Sequence, residues 1–252
     1  MGGIDCNWIF TKCPSWIYRY TRPVENTMLR NNELWIAIAI AVTSTIIARL
    51  PVLHWLVYPF ELFNTFVHEL GHGFASLLTG GKLDRLEVYS NGEGVAWTAG
   101  GIRWIVASAG YLSSALVGGA LLILSARGIS ADRVTLIIGI ALFVLCGLFV
   151  RNIFGIIVGI LLAGAFIAAS YKLALHWNEW LLLVLGVQTI LNALDSLWDL
   201  LRLSSYRRHV TSDALIMQQA TGVPAILWAL VWSGIALLIL WQAIRFAYFR
   251  DI

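Results

Sequence analysis

Long apolar runs separated by short polar breaks dominate this chain. Measured against the roughly 20 apolar residues that a helix needs to cross a bilayer, they predict an all-α polytopic membrane protein with six to seven transmembrane helices. The first run, about Trp35 to Ile47, stops at Arg49-Leu50-Pro51 and is short for a span. The second runs from about Val52 to Leu78, with Pro51 suited to its first turn and Thr79-Gly80-Gly81 as its stop signal. Five more follow at about Ile102 to Leu124, Val134 to Val150, Ile153 to Tyr171, Trp180 to Leu203 and Ala225 to Phe249.

Two segments break the apolar pattern. Between the second and third runs, about residues 82–101, Leu83, Leu86, Val88 and Tyr89 lead into Ser90-Asn91-Gly92-Glu93-Gly94 and then Val95-Ala96-Trp97-Thr98. This reads as a β-hairpin closed around an Asn-Gly turn. Residues 1–33 form a polar leader in which Trp8, Trp16, Tyr18 and Tyr20 alternate with Lys12, Arg19 and Arg22, a pattern suited to the headgroup layer. Residues 34–252 then make one transmembrane domain.

Composition sharpens this picture. Only 12% of the 252 residues are charged, half the share that covers a soluble domain, so the lipid bilayer is the partner for most of the surface. The net charge of +3 is spread over segment ends and excludes a nucleic-acid footprint. With seven spans, an N-terminus in the cytoplasm puts 11 of the 17 Lys and Arg residues inside. The positive-inside rule favours that orientation in a cell membrane, with the leader and the hairpin on one side. The three cysteines form no CxxC pair, so neither a disulfide framework nor a cysteine metal site is expected.

An ionisable side chain at the bilayer centre costs about 2.5 to 3.5 kcal/mol on insertion scales, so each one inside a span points to function. The second span holds Phe66-Val67-His68-Glu69-Leu70-Gly71-His72, an HExxH motif. Residues four apart on a helix share a face. His68 and His72 can therefore offer two imidazoles to one zinc ion, while Glu69, not itself a ligand, serves as the base that deprotonates water. His54, Tyr58, Glu61, Thr65, His68 and His72 together form one polar stripe at helical spacing.

A catalytic zinc usually has three protein ligands. The sixth span carries Gln188, Asn192, Asp195, Asp199 and Arg202 on one face, so the third ligand is expected to be Asp199 or Asp195, with Asp199 the first choice. Other readings of these groups are an ion pair of Asp199 with Arg202 and a hydrogen bond of Asp195 with Asn192. Gly110, Ser114 and Gly118, four apart, are read as a close-packing helix seam.

These residues resemble the site-2-protease type of membrane metallopeptidase, and more closely its M50B-like branch. The resemblance rests on Phe66 to Gly81 around HExxH, the hairpin with Gly92-Glu93-Gly94, Ala109-Gly110-Tyr111-Leu112-Ser113-Ser114-Ala115, Leu197-Trp198-Asp199 and Ser212-Asp213-Ala214. It implies one zinc per chain, held by His68, His72 and an Asp from a later span, with Glu69 catalytic and a membrane protein or peptide as substrate. Better-known members carry that Asp in an Asn-x-x-Pro-x-x-x-x-Asp-Gly pattern. Here Asn192 precedes Asp199 by seven positions, no Pro intervenes and Leu200 replaces the Gly. A zinc-dependent intramembrane endopeptidase is therefore expected, against two alternatives: a catalytically silent partner-binding scaffold, and a proton- or metal-coupled transporter. In the hydrolase reading, the exposed hairpin edge can hold an extended substrate by strand addition.

Overall fold

The structure, a computed structural model, describes residues 27–127, 130–206 and 212–249. The leader up to residue 26, with its expected place at the headgroups, lies outside the described residues, as do Arg207 and Arg208. Helix α1 spans Thr27–Arg49, and a single 3₁₀ turn, His54–Leu56, leads into α2, Tyr58–Leu78. Strands β1 (Lys82–Val88) and β2 (Gly94–Ala99) form an antiparallel hairpin, followed by α3 (Arg103–Ala126), α4 (Ala131–Leu148), α5 (Ile153–Lys172) and α6 (Leu175–Tyr206). A short helix, α7 (Asp213–Thr221), precedes α8, Ala225–Tyr248.

Five helices, α3, α4, α5, α6 and α8, are long and apolar enough to cross a membrane, and the chain is a multi-pass membrane protein. The two segments that would raise the count to seven differ from the other five. The apolar part of α1, Leu34–Arg49, falls short of a full span. The second run is not one helix from Val52: α2 starts at Tyr58, with Pro59 in its first turn. In a helix begun at Val52, Pro59 would lie in the interior, where its ring meets the carbonyl four residues back. The break therefore falls just before Pro59. Leu34 and Ala37 of α1 pack with Leu122 of α3 and Ala247 of α8, near the ends of those helices remote from the hairpin. The first half of α1 and the base of the hairpin thus occupy opposite ends of the bundle.

The hairpin lies back along α2. At its base, Ser76 Oγ donates to the Lys82 carbonyl at 3.2 Å. At its tip, Tyr58 Oη donates to Ser90 O at 2.7 Å, and Thr65 Oγ1 donates to Gly92 O at 2.7 Å. Gly92 has φ +85°, the left-handed conformation that the turn needs and that favours glycine. Leu86 and Val88 of β1 are fully buried against Phe66, Val150 and the α4–α5 pair. The outer edge of β1 is occupied as well. Leu86 N–H donates to Phe149 O at 2.8 Å, Arg151 N–H donates to Leu86 O at 3.1 Å, and the Asn152 amide bonds both the N–H and the carbonyl of Val88. Asn152 thus acts as a strand terminus for β1, and the free edge of the sheet belongs to β2.

Helices α3 and α6 are the most buried of the five spans and cross closely because glycines meet there. A Cβ on Gly118 would stand 2.8 Å from Ile190 and 3.3 Å from Gly186 O. The seam read from Gly110, Ser114 and Gly118 is present at Gly118; Gly110 has a different neighbour.

Candidate metal centre

Helix α2 presents His68 and His72 on one face. Their Nε2 atoms are 3.1 Å apart, with the rings edge to face at 4.8 Å. His72 Nδ1 lies 2.7 Å from the Val106 carbonyl on α3. As a donor there, it holds its proton on Nδ1 and leaves the Nε2 lone pair directed at its neighbour.

The third group is Asp213. Its Oδ2 lies 3.5 Å from His68 Nε2 and 3.4 Å from His72 Nε2. Asp199 and Asp195 are exposed on α6, and the group of donors at metal-ligand spacing among the described residues is His68, His72 and Asp213. Neither Asp199 nor Asp195, the expected third ligands, is in that group; the carboxylate at ligand spacing is that of Asp213, outside the spans. The physical reason is the placement of α7: it packs against α3 and α8, with its first residue facing the two imidazoles. Nor do the other readings of the α6 face appear. The Arg202 guanidinium stacks over Trp198 at 5.1 Å, and the Asn192 amide nitrogen is buried without a hydrogen-bond partner.

Local sequence explains why α7 begins where it does. Ser212 is its N-cap, with Oγ accepting from Leu215 N–H at 3.3 Å. Gly222 closes the helix at φ +76°. Asp213 occupies the first helical position, where the helix dipole favours a carboxylate. Ala214 and Met217 are fully buried and anchor the helix. Burial would push the Asp213 carboxyl up, but the His72 and His68 imidazoles beside it hold it well below the ordinary carboxylate range.

The donor set fits a zinc ion. At Zn–N of about 2.0–2.1 Å and Zn–O of about 2.0–2.2 Å, tetrahedrally placed donors stand roughly 3.3–3.5 Å apart. The three separations here, 3.1, 3.4 and 3.5 Å, are close to that edge. Two imidazoles and one carboxylate are also the ligand types of catalytic zinc sites.

Gly110 of α3 leaves the room. A Cβ there would stand within 2.6 Å of Nε2 of both histidines and of His68 Cε1. Gly110→Ala is therefore expected to displace the imidazoles and abolish zinc binding, read by metal content of the purified protein. Full zinc occupancy in that variant would show that the gap above the rings has no role.

Glu69, adjacent to the first histidine, is buried and lies in the field of His68, His72 and Asp213. The Ala96 backbone of β2 lies near its carboxylate. Gly94 packs so closely that a Cβ would stand 2.6 Å from Glu69 Cγ. The hairpin therefore covers the carboxylate. Gly110 lies seven residues into α3, about 10 Å from Arg103 at 1.5 Å per residue, so the site is sunk below one end of the bundle.

The polar stripe on α2 serves three purposes. His54 Nε2 pairs with Glu61 Oε1 at 3.0 Å, outside the metal group. Tyr58 and Thr65 hold the hairpin tip, and His68 and His72 converge on Asp213. Asp213 was quoted in the resemblance with no role assigned to it. The signal available for it was local: a Ser N-cap followed by an acidic residue, then a short helix ending at glycine.

A multi-pass helical bundle with an inward cluster of two histidines and an aspartate, beside a buried glutamate, defines a membrane protein of the metallopeptidase kind. The chain belongs to the Peptidase M50B-like family, which matches residues 35–243. No curated protein and no solved structure matches it.

Proposed function

We propose that the chain is a zinc-dependent intramembrane endopeptidase that hydrolyses peptide bonds in or beside membrane-spanning substrates. The observation that carries this reading is the convergence of His68, His72 and Asp213 at ligand spacing, with Glu69 held next to them by the hairpin. The short α1 and the polar α2 would then lie within the membrane beside the five spans and bring the number of helices there to seven. Residues 34–252 would act as one metallopeptidase domain.

Zinc bound at this site supplies a Lewis acid that polarises the substrate carbonyl and acidifies water. The protein's own groups do the rest. His72 is held in the ligating tautomer by Val106. Glu69 takes the proton of the attacking water and passes it to the leaving amine nitrogen. The β2 edge, the one that Phe149 to Asn152 leave open, runs past Glu69 and offers backbone groups to an unwound segment of substrate.

Protein purified in detergent and reconstituted in liposomes is expected to carry one zinc per chain and to cleave a transmembrane peptide. Chelation should remove both the metal and the cleavage, and added zinc should restore both. Full zinc occupancy with no cleavage of any membrane peptide tested would leave a silent scaffold. Ion or proton flux in the same liposomes would instead favour a transporter.

A further inference from the structure

Tyr111 follows Gly110 on α3, so one turn of helix brings both residues to the histidine pair. Its ring meets the His68 ring edge to face, with centroids 4.6 Å apart and planes at 87°. Behind it, Trp232 of α8 stacks on the phenol at 5.4 Å and 20°. Trp232 is fixed in turn, since its Nε1–H donates to Ser108 Oγ at 3.0 Å. The phenol is thus clamped between a ligand ring and an anchored indole, with no rotamer freedom to spend.

The residue is 8% exposed. A tyrosine buried to this degree ordinarily finds a partner for its hydroxyl, yet among the described residues the contacts found for Tyr111 are those of its ring. Three carboxylates, those of Asp213, Glu69 and Asp199, act on it. The phenol therefore packs on a histidine of the metal group, within the field of Asp213 and Glu69. A side chain kept only for packing would serve there as phenylalanine.

We propose that Tyr111 is a catalytic residue whose O–H donates a hydrogen bond to the carbonyl oxygen of the scissile peptide as that oxygen takes on charge. This rests on the endopeptidase reading above and adds a donor to it. As the water oxygen bonds to the carbonyl carbon, the C=O pair moves onto the carbonyl oxygen, and Glu69 takes the proton of water. When the C–N bond breaks, that pair re-forms C=O, and Glu69 returns the proton to the amine nitrogen. The net change is peptide plus water to carboxylic acid plus amine. Tyr111 keeps its proton throughout; it stabilises the charged oxygen from a fixed position, which is where such donors are most effective.

The test is Tyr111→Phe in the full chain, which retains the ring against His68 and Trp232. Three quantities are read: zinc content, kcat and KM on a transmembrane peptide, and affinity for a phosphinic peptide whose P–O⁻ imitates the charged oxygen. Expected are unchanged zinc and KM, a fall in kcat of about 100-fold, and a weakening of phosphinic-peptide binding by a similar factor. Wild-type kcat and phosphinic affinity in the variant would overturn the proposal, and so would loss of zinc, which would make the hydroxyl a support for His68. A wild type that binds zinc but neither cleaves peptides nor binds the phosphinic peptide would overturn the endopeptidase reading itself.

Discussion

Asp213→Ala is expected to reduce zinc affinity by more than about 100-fold, beyond the 10- to 100-fold that removal of an outer partner of a ligand costs, and to abolish cleavage with it. Asp199→Asn and Asp195→Asn are expected to keep zinc at wild-type stoichiometry. The contrast follows from position: Asp213 Oδ2 lies 3.4–3.5 Å from both imidazole nitrogens, whereas the other two carboxylates are exposed on α6. Metal content of the three purified variants decides it. Zinc retained by Asp213→Ala and lost from Asp199→Asn would reverse the assignment.

Glu69→Gln should separate binding from chemistry. The amide keeps the shape of the side chain under Gly94, so zinc content is expected to stay at the wild-type level. It cannot take a proton from water. Cleavage of a transmembrane peptide should therefore fall by about 10²- to 10⁴-fold, the range that a positioned general base contributes. A Glu69→Gln protein that cleaves as well as wild type would show that the base is elsewhere.

Much of the architecture could be read from hydropathy alone. The runs ending at Leu124, Val150, Tyr171, Leu203 and Phe249 match α3, α4, α5, α6 and α8 to within a few residues, because a lipid-facing helix must be apolar along its whole length. The Asn-Gly hairpin was legible from turn chemistry. Its course back along α2 was not, since that depends on Tyr58, Thr65 and Ser76 meeting backbone groups far along the chain. Pro59 marks the start of α2, a signal that hydropathy hides inside an otherwise apolar run.

The site was legible where its residues are neighbours on one helix. His68, Glu69 and His72 follow from spacing, and their cost in a bilayer made a short motif credible. Asp213 is different, because scarcity of charge directs attention to spans, and this residue lies on a nine-residue helix outside them. Asp195 and Asp199 looked equivalent to a ligand because helical periodicity reports which face a residue shares, not which helix that face meets.

The candidate donors come from α2 and α7, with His72 and Asp213 141 positions apart. An ion held by all three is therefore a cross-link as well as a cofactor. It would close a loop that takes in the hairpin and the four spans α3 to α6, and it would tie down a short helix beside the anchors Ala214 and Met217. By mass action such a ligand stabilises the folded chain by about 4 kcal/mol at a thousand times its dissociation constant. The atoms proposed to prepare the protein for hydrolysis would then also determine whether α7 stays docked, and metal supply would bear on the lifetime of the protein along with its rate.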